Sequence, residues 1–456
     1  MNIRSEKKIL FTILILGLLI RLGLIMFFDG SHRLFHDGDS AEYLALAENL
    51  RLGHGFTWDK SAPFHPNSFR TPIYPGFLFL ARFLFGSYEA ALIIQSVLVV
   101  LSAYLLYLIG KEYFNRKIAL WSAGIFLFVP FSVNVSVKFL TQTLFLSLLI
   151  LSVWSWVQFL KKQQNKYFLL TSILLPALAL TRPIAQYIVP VFILSLAYAA
   201  YFGQINLGLK RFLKLGVAMS IVFIVILTPW LIRNYSLFGH FKLSSITPYQ
   251  LYFYDVPDAY ALANDISYEE ASKILKTEID YLWITDIASR LSTDSEVYDF
   301  QDYMKFAAGD ILMSRSRYYF SAFPAPFFIS RVKNMTKFFV RDGIRYWYND
   351  FSRSSRSDVN IYKIITFKEK NVFPYLVAIE RLFLATLFIG LILSASYFFK
   401  ENATVRSILF FFFLLLIYFS FFSGIMASAG FRIIVEPIFI LVGLNGLNKF
   451  KERVNL

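Results

Sequence analysis

The stretch LFHDGDSAEYLALAENLRLGHGF, Leu34 to Phe56, concentrates groups that can exchange protons. His36, Asp37, Asp39 and Glu42 follow directly on the first apolar segment, where charged side chains are costly to place. A carboxylate in such a place can act as a general base toward a hydroxyl. Asp39 also stands where an N-cap would stand, ahead of SAEYLALAENL. Helix capping by Asp39, with Asp37 solvating the turn, is therefore a competing explanation.

Cations accompany these acids. Arg70 lies in SFRTPIYPGFLF, Lys138 between two apolar runs, Arg182 in LALTRP, Arg233 in TPWLIRNYSLFG and Arg432 in GFRIIVEP. Each alone reads as an interfacial side chain whose stem snorkels along lipid. Five of them, from separate hairpins on one membrane face, point to an anionic ligand, and phosphate is the obvious candidate.

The elements that position these residues follow from composition. The chain has 456 residues, 57% of them hydrophobic, 19% aromatic and 16% charged. Soluble domains carry roughly a quarter charged residues, so this is a polytopic membrane protein. The net charge of +15 gathers in short clusters flanking apolar runs, as topological anchors do, and no nucleic-acid motif accompanies it. Cysteine is absent, which excludes disulfides, thiolate nucleophiles and cysteine-ligated zinc. MNIRSEKKIL is a basic flank with no small-residue cleavage site after the following apolar run, and it reads as an uncleaved anchor.

Ten spans are expected, near 9–28, 88–110, 118–136, 139–160, 167–181, 184–202, 212–231, 374–398, 406–422 and 433–448. Arg182-Pro183 interrupts what would otherwise be one long apolar run, so a re-entrant hairpin is an alternative there. The positive-inside rule puts both termini and the clusters at 111–117, 161–166, 210–214 and 449–453 in the cytoplasm. The loop 29–87, the turns near Lys138, Arg182 and Arg432, and the segment 232–372 then share the extracytoplasmic side.

The expected organisation is an N-terminal transmembrane module, 1–231, containing the loop 29–87, then an extracytoplasmic domain, 232–372, and C-terminal helices, 373–456. The fold class is all-α polytopic, about ten transmembrane helices with a mainly helical α or α/β extracytoplasmic domain. Ser267 and Glu270 form a capping-box pattern that should start a helix in that domain. SRVKNMTKFFVRDGIRYWYN mixes basic and aromatic residues and suits a helix lying at the lipid headgroups.

Taken in order, GDSAEYLALAENLRLGHGF, RTPIYPGFLFLARFLFG, LALTRP and TPWLIRNYSLFGHF resemble the C-type (GT-C) glycosyltransferases of the bacterial inner membrane. The likeness is to the branch of family 39 that contains the protein O-mannosyltransferases, and to the lipid A aminoarabinose transferases. It covers roughly the first half of the chain, with echoes in LYFYDVP, AAGDILMSRSRYYF and GFRIIVEPIFI. The resemblance implies a sugar donor on polyprenyl phosphate, a hydroxyl-bearing acceptor, transfer on the extracytoplasmic face and inversion at the anomeric carbon. The acceptor class stays open between glycolipid, polysaccharide and protein.

The resemblance also maps the catalytic carboxylate onto Asp39, with His36 and Asp37 as neighbours that either assist or merely hydrogen-bond. Arg70, Lys138, Arg182, Arg233 and Arg432 map onto basic positions that either hold the lipid phosphate or orient loops. Tyr43, Tyr74, Gln142 and Tyr252 become candidate contacts to sugar or acceptor, with Tyr249 and Tyr254 available for stacking. One departure stands out: the family often has an acidic residue at the start of the fourth span, and FLTQTLFLS has Gln142. No metal site is assigned, and the cofactor is left open. A flippase for lipid-linked sugars is the rival reading, but it should place its ionisable groups near mid-bilayer between matching halves. Here they gather at one interface. A scaffold built around the long loop would explain neither Asp39 nor the cations.

Overall fold

A computed structural model describes residues 3–27, 38–202, 204–282, 304–346, 372–426 and 429–454. Among these residues the regular structure is helical and no strand occurs. The first span is α1 (Ile3–Phe27), and α2 (Asp39–Leu52) and α3 (Ile73–Phe85) occupy the connection after it. Then come α4 (Glu89–Tyr113), α5 (Arg116–Phe128), α6 (Pro130–Ser136), α7 (Thr141–Lys162) and α8 (Asn165–Thr181). They are followed by α9 (Val189–Tyr201) and α10 (Leu209–Phe238). The long segment contributes α11 (Ile246–Gln250), α12 (Val256–Asn264), α13 (Tyr268–Leu282), α14 (Phe306–Ala322) and α15 (Pro324–Val340). Last are α16 (Phe373–Ser396), α17 (Ala403–Phe422), α18 (Ala429–Arg432) and α19 (Glu436–Val454).

Every expected span falls on a helix, but not every helix is a span by length and composition. Among the described residues seven are long and apolar enough, and the bent pair α5–α6 makes an eighth. Of the other two, α8 has only 17 residues, and α19 ends in Lys449, Lys451, Glu452 and Arg453. Much of the apolar surface of α1 and α10 faces outward, as lipid-facing helices require.

The bend between α5 and α6 is 56°. Pro130 has no N–H to continue the helix, so carbonyls of the preceding turn lose their usual partners. Arg21, fully buried in α1, fills part of that gap. Its Nη2 donates to Leu127 O at 3.1 Å and to Ser132 Oγ at 3.2 Å, and its Nε to Ser136 Oγ at 2.8 Å. An intramembrane cation is tolerated when it is satisfied in this way. The bend leads the chain from α6 to Lys138, at the mouth of α7.

Elsewhere in the bundle α16 and α19 touch through glycines. A Cβ on Gly446 would lie 1.9 Å from the Gly390 carbonyl oxygen, and one on Gly390 would lie 2.2 Å from that of Gly443. Small residues let backbones approach this closely in membrane bundles.

The long segment packs on the first connection. Ser245 N donates to Ser68 O at 3.0 Å, and Phe69 joins Tyr249, Tyr252, Leu275 and Leu312 in one apolar cluster. The expected cap is present, with Glu270 N donating to Ser267 Oγ at 3.1 Å.

Candidate active site

A cavity of about 750 Å³ opens where the α2–α3 connection, the α6–α7 turn, the C-terminal end of α8, the chain at 246–255, α15 and the end of α17 meet. Asp39, Tyr43, Arg70, Lys138, Arg182 and Gln142, all expected from sequence, line it together. The chain thus brings one wall's carboxylate and three cations from separate hairpins into a single chamber.

Asp39 does not cap its helix. The N-cap is Gly38, at φ 43°, and no side chain closes that end. Instead Asp39 is the first helical residue, and its Oδ1 lies 2.5 Å from Arg70 Nη2. Arg70 also donates from Nε to Glu42 Oε2 at 2.7 Å, from Nη2 to the same oxygen at 2.5 Å, and from Nη1 to the Tyr43 hydroxyl at 3.0 Å. One guanidinium therefore fixes two carboxylates and a phenol, using the planar fork that lysine lacks.

Exposure separates the three charged groups. The Arg70 side chain is 9% exposed, Glu42 30% and Asp39 56%, so Asp39 is the one most open to a ligand. Burial opposes the charge of Arg70, but the Tyr43 phenol and the two carboxylates outweigh it and raise its pKa. Burial raises the Glu42 carboxyl against the pull of Arg70.

Arg182 has a different environment. Its Nη1 donates to Thr141 Oγ1 at 2.8 Å, and its guanidinium carbon lies 5.1 Å from the Phe431 ring centre. Burial lowers its pKa, and the fields of Tyr43 and Asp39 only partly offset that. Lys138 is buried to 5% exposure at the end of the bent segment, and its carbonyl accepts from Gln95 Nε2 at 3.0 Å. Gln142 reaches the wall with its Oε1 buried and without a protein donor among the described residues.

Four expected contacts lie elsewhere. Arg233 donates to Asn67 O and Asn234 Oδ1, both at 2.8 Å, and stacks on Trp230, outside the cavity lining. Arg432 is fully buried, donating to Arg341 O at 2.5 Å and facing Glu436, so it ties α18 to α15 and α19. Tyr74 hydrogen-bonds Gln95 Oε1 at 2.8 Å behind the wall, and Gln95 in turn holds the Lys138 backbone. Tyr252 points into its own cluster, donating to Leu275 O at 2.9 Å. His36 and Asp37 lie outside the described residues.

The structure extends the expected set of contacts. Glu42 belongs to the Arg70 cluster, and Asp255, Arg331, Tyr346 and the 421–423 turn line the cavity. Among the described residues no three His, Asp or Glu side chains converge as a metal site. Asp39 and Glu42 both face Arg70.

Comparison with known proteins accords with this architecture. Residues 68–232 match the family model described as dolichyl-phosphate-mannose-protein mannosyltransferase. The matched span holds Arg70, Lys138 and Arg182, but not Asp39. The oligosaccharyltransferase of Archaeoglobus fulgidus, in its apo form, superposes with a TM-score of 0.52 at 15% identity, over 98% of this chain and 51% of that one. The fold is that of the GT-C glycosyltransferases. The same archaeal enzyme tethered to an acceptor peptide gives a TM-score of 0.50 at 14% identity, over 98% of this chain and 50% of that one. ArnT from Cupriavidus metallidurans, bound to undecaprenyl phosphate, gives 0.40 at 13% identity, over 95% of this chain and 77% of that one. The present chain thus spans about half the length of the archaeal enzyme. No curated protein matches it by sequence.

Proposed function

We propose that this chain is an integral-membrane glycosyltransferase. It moves a sugar from a polyprenyl-phosphate donor to a hydroxyl on a glycolipid, polysaccharide or protein, on the extracytoplasmic face and with inversion. The observation that carries the reading is the shared chamber: an open carboxylate, Asp39, and the cations Lys138 and Arg182 line one cavity of about 750 Å³. The superposed archaeal oligosaccharyltransferase with its tethered acceptor peptide supports the same reading.

In this mechanism Asp39 accepts the proton of the acceptor hydroxyl as that oxygen attacks the anomeric carbon. Attack comes from the side opposite the phosphate, the bond from the anomeric carbon to the phosphate oxygen breaks, and polyprenyl phosphate leaves with the electron pair. Arg182 and Lys138 stabilise the charge that develops on the departing phosphate. Arg70 is a positioning residue. It is already balanced by Asp39 and Glu42, so it aims the base and leaves the phosphate to the other cations.

The proposal sets the chain in a bacterial cytoplasmic membrane with both termini in the cytoplasm. Residues 1–231 form the catalytic module, 232–372 the extracytoplasmic domain and 373–456 the closing helices. The test is donor turnover. Purified protein, a panel of radiolabelled polyprenyl-phosphate sugars and a crude envelope extract are incubated together. Label should pass from the polyprenyl lipid to a new species with the wild type and not with Asp39→Asn. Movement of intact lipid-linked sugar across liposomes, with no label transferred, would overturn the enzyme in favour of a flippase.

A further inference from the structure

The cavity has a second charged wall that the mechanism above does not use. Asp255 Oδ2 and Arg331 Nη2 are 2.7 Å apart, with the two side chains 13% and 8% exposed, and both residues line the cavity. Three segments far apart in sequence build this pair. Asp255 ends a single wide turn of π type, Leu251–Asp255, between α11 and α12. Arg331 comes from α15; the turn after α17 supplies the Ile425 N–H to Asp255 Oδ1 at 3.1 Å, and the last turn of α17 supplies the Phe421 carbonyl to Arg331 Nη1 at 3.2 Å.

Gly424 is what lets that turn come so close. It has φ 52°, and a Cβ there would sit 2.1 Å from Asp255 Oδ1 and 2.4 Å from Arg331 Nη1. Burying an ion pair is costly, and an apolar pair of the same volume would often hold three segments together as well. A single-turn π insertion is, in turn, commonly found where a side chain is aimed at a ligand. Both observations ask for a use beyond packing.

The charge balance says which use. Arg331 is neutralised by Asp255, so the pair offers no net charge to a phosphate. It offers an acceptor and a donor side by side, and Arg331 has N–H groups beyond the two that Phe421 and Asp255 take. A hydroxyl group, which both donates and accepts, matches that pattern. The same turn places Tyr254 on the cavity wall, with Tyr249 6.2 Å from it between ring centres, and aromatic rings pack against the apolar faces of sugars.

We infer that Asp255 and Arg331, with Tyr254, form the subsite that reads the hydroxyls of the donor's neutral sugar ring, while Arg182 and Lys138 take its phosphate. This rests on the polyprenyl-phosphate reading and adds the part of the donor that sets specificity. It also supplies a further cavity carboxylate, beyond Asp39 and Glu42, at a place other than Gln142, here for recognition and not for proton transfer.

Binding measurements separate the two claims. Affinity for bare polyprenyl phosphate and for a panel of polyprenyl-phosphate hexoses and pentoses is measured on full-length wild type, Asp255→Asn and Tyr254→Leu in detergent. Wild type should bind at least one sugar-bearing lipid about tenfold more tightly than the bare lipid. Asp255→Asn should keep bare-lipid affinity within about twofold and lose most of that increment. Tyr254→Leu leaves the ion pair in place and should weaken the increment too, which keeps the test decisive if Asp255→Asn does not fold. Absence of any sugar increment in wild type, or equal losses for bare and sugar-bearing lipid in the variants, overturns the subsite alone. Failure of wild type to bind polyprenyl phosphate at all overturns the donor reading and the subsite with it.

Discussion

Arg182 donates to Thr141 across 2.8 Å, and that partner carries no charge. Arg70, on the same cavity, faces two carboxylates. The two arginines are therefore not equivalent, although sequence placed them in one class. A phosphate entering the chamber meets an already balanced cation at Arg70 and an unbalanced one at Arg182.

Replacing Arg182 by Met should raise KM for the polyprenyl-phosphate sugar by about tenfold to a hundredfold, because a charge-assisted contact to phosphate is lost. Arg182→Lys should recover part of that loss, since a point charge still serves an anion. Steady-state kinetics over donor concentration would decide the matter. An unchanged KM in Arg182→Met would remove Arg182 from donor binding.

Asp39→Asn should lower kcat at least a hundredfold while leaving the melting temperature near wild type. The amide keeps the shape of the side chain, the carboxylate is 56% exposed, and Glu42 still holds Arg70. Activity within a few-fold of wild type would sink the base assignment. Unfolding of the variant would instead mean that the Asp39–Arg70 pair is chiefly structural.

Arg70→Met should be the more damaging change for the fold. It leaves Glu42 and Tyr43 without their shared donor in a mostly buried site, at a cost of about 2 kcal/mol once Glu42's partial exposure is allowed for. Arg70→Lys should fold better yet remain slow, because one ammonium cannot span Asp39, Glu42 and Tyr43 with the geometry of the fork. Thermal melting paired with kcat distinguishes these outcomes. A fully active Arg70→Lys would show that the aim of Asp39 does not depend on the fork.

How far these relationships were legible in the sequence depends on distance along the chain. Span-length apolar runs located the membrane helices, and Ser267 with Glu270 marked a helix start, because both signals are local. Asp39, Arg70, Lys138 and Arg182 could be grouped by counting membrane crossings, which needs no tertiary contact. Counting fails for Arg233 and Arg432, since it assigns a side of the membrane but not a direction for the side chain. Arg432 turns inward to the Phe338 and Arg341 carbonyls at the C-terminal end of α15, and Arg233 packs on Trp230. The Asp255–Arg331 pair joins residues 76 apart to a turn that a glycine at positive φ makes possible. Gly424 is one glycine among 21, and nothing near it in sequence announces its partner.

Glu42 supplies a pH prediction. Burial, first, and the nearby Asp39 charge raise its native pKa, and Arg70 only partly reverses that. A native carboxyl above its unfolded value takes up its proton before the unfolded chain does. Between the ordinary value and the raised one, lowering the pH therefore adds stability through this group, and raising the pH through the native value removes it. The stability of wild type relative to Glu42→Gln should thus grow on mild acidification, modestly because the side chain is 30% exposed. Melting temperatures of both proteins from neutral to mildly acid pH would show it. Parallel curves would mean that Arg70 fully cancels the burial.

The crossing of α16 and α19 gives the last prediction, and it concerns stability alone. Gly390 and Gly446 leave no room for a Cβ at their contact, where one would lie 1.9 Å from a carbonyl oxygen. Gly446→Ala must push the helices apart, at about 1–3 kcal/mol for overpacking. Neither glycine lines the cavity, so kcat and KM of whatever folds should stay near wild type. Gly23, which has nothing within 4 Å of its Cβ position, is the control: Gly23→Ala should cost little. Equal melting temperatures for the two variants would mean that α16 and α19 are not packed this closely in the membrane.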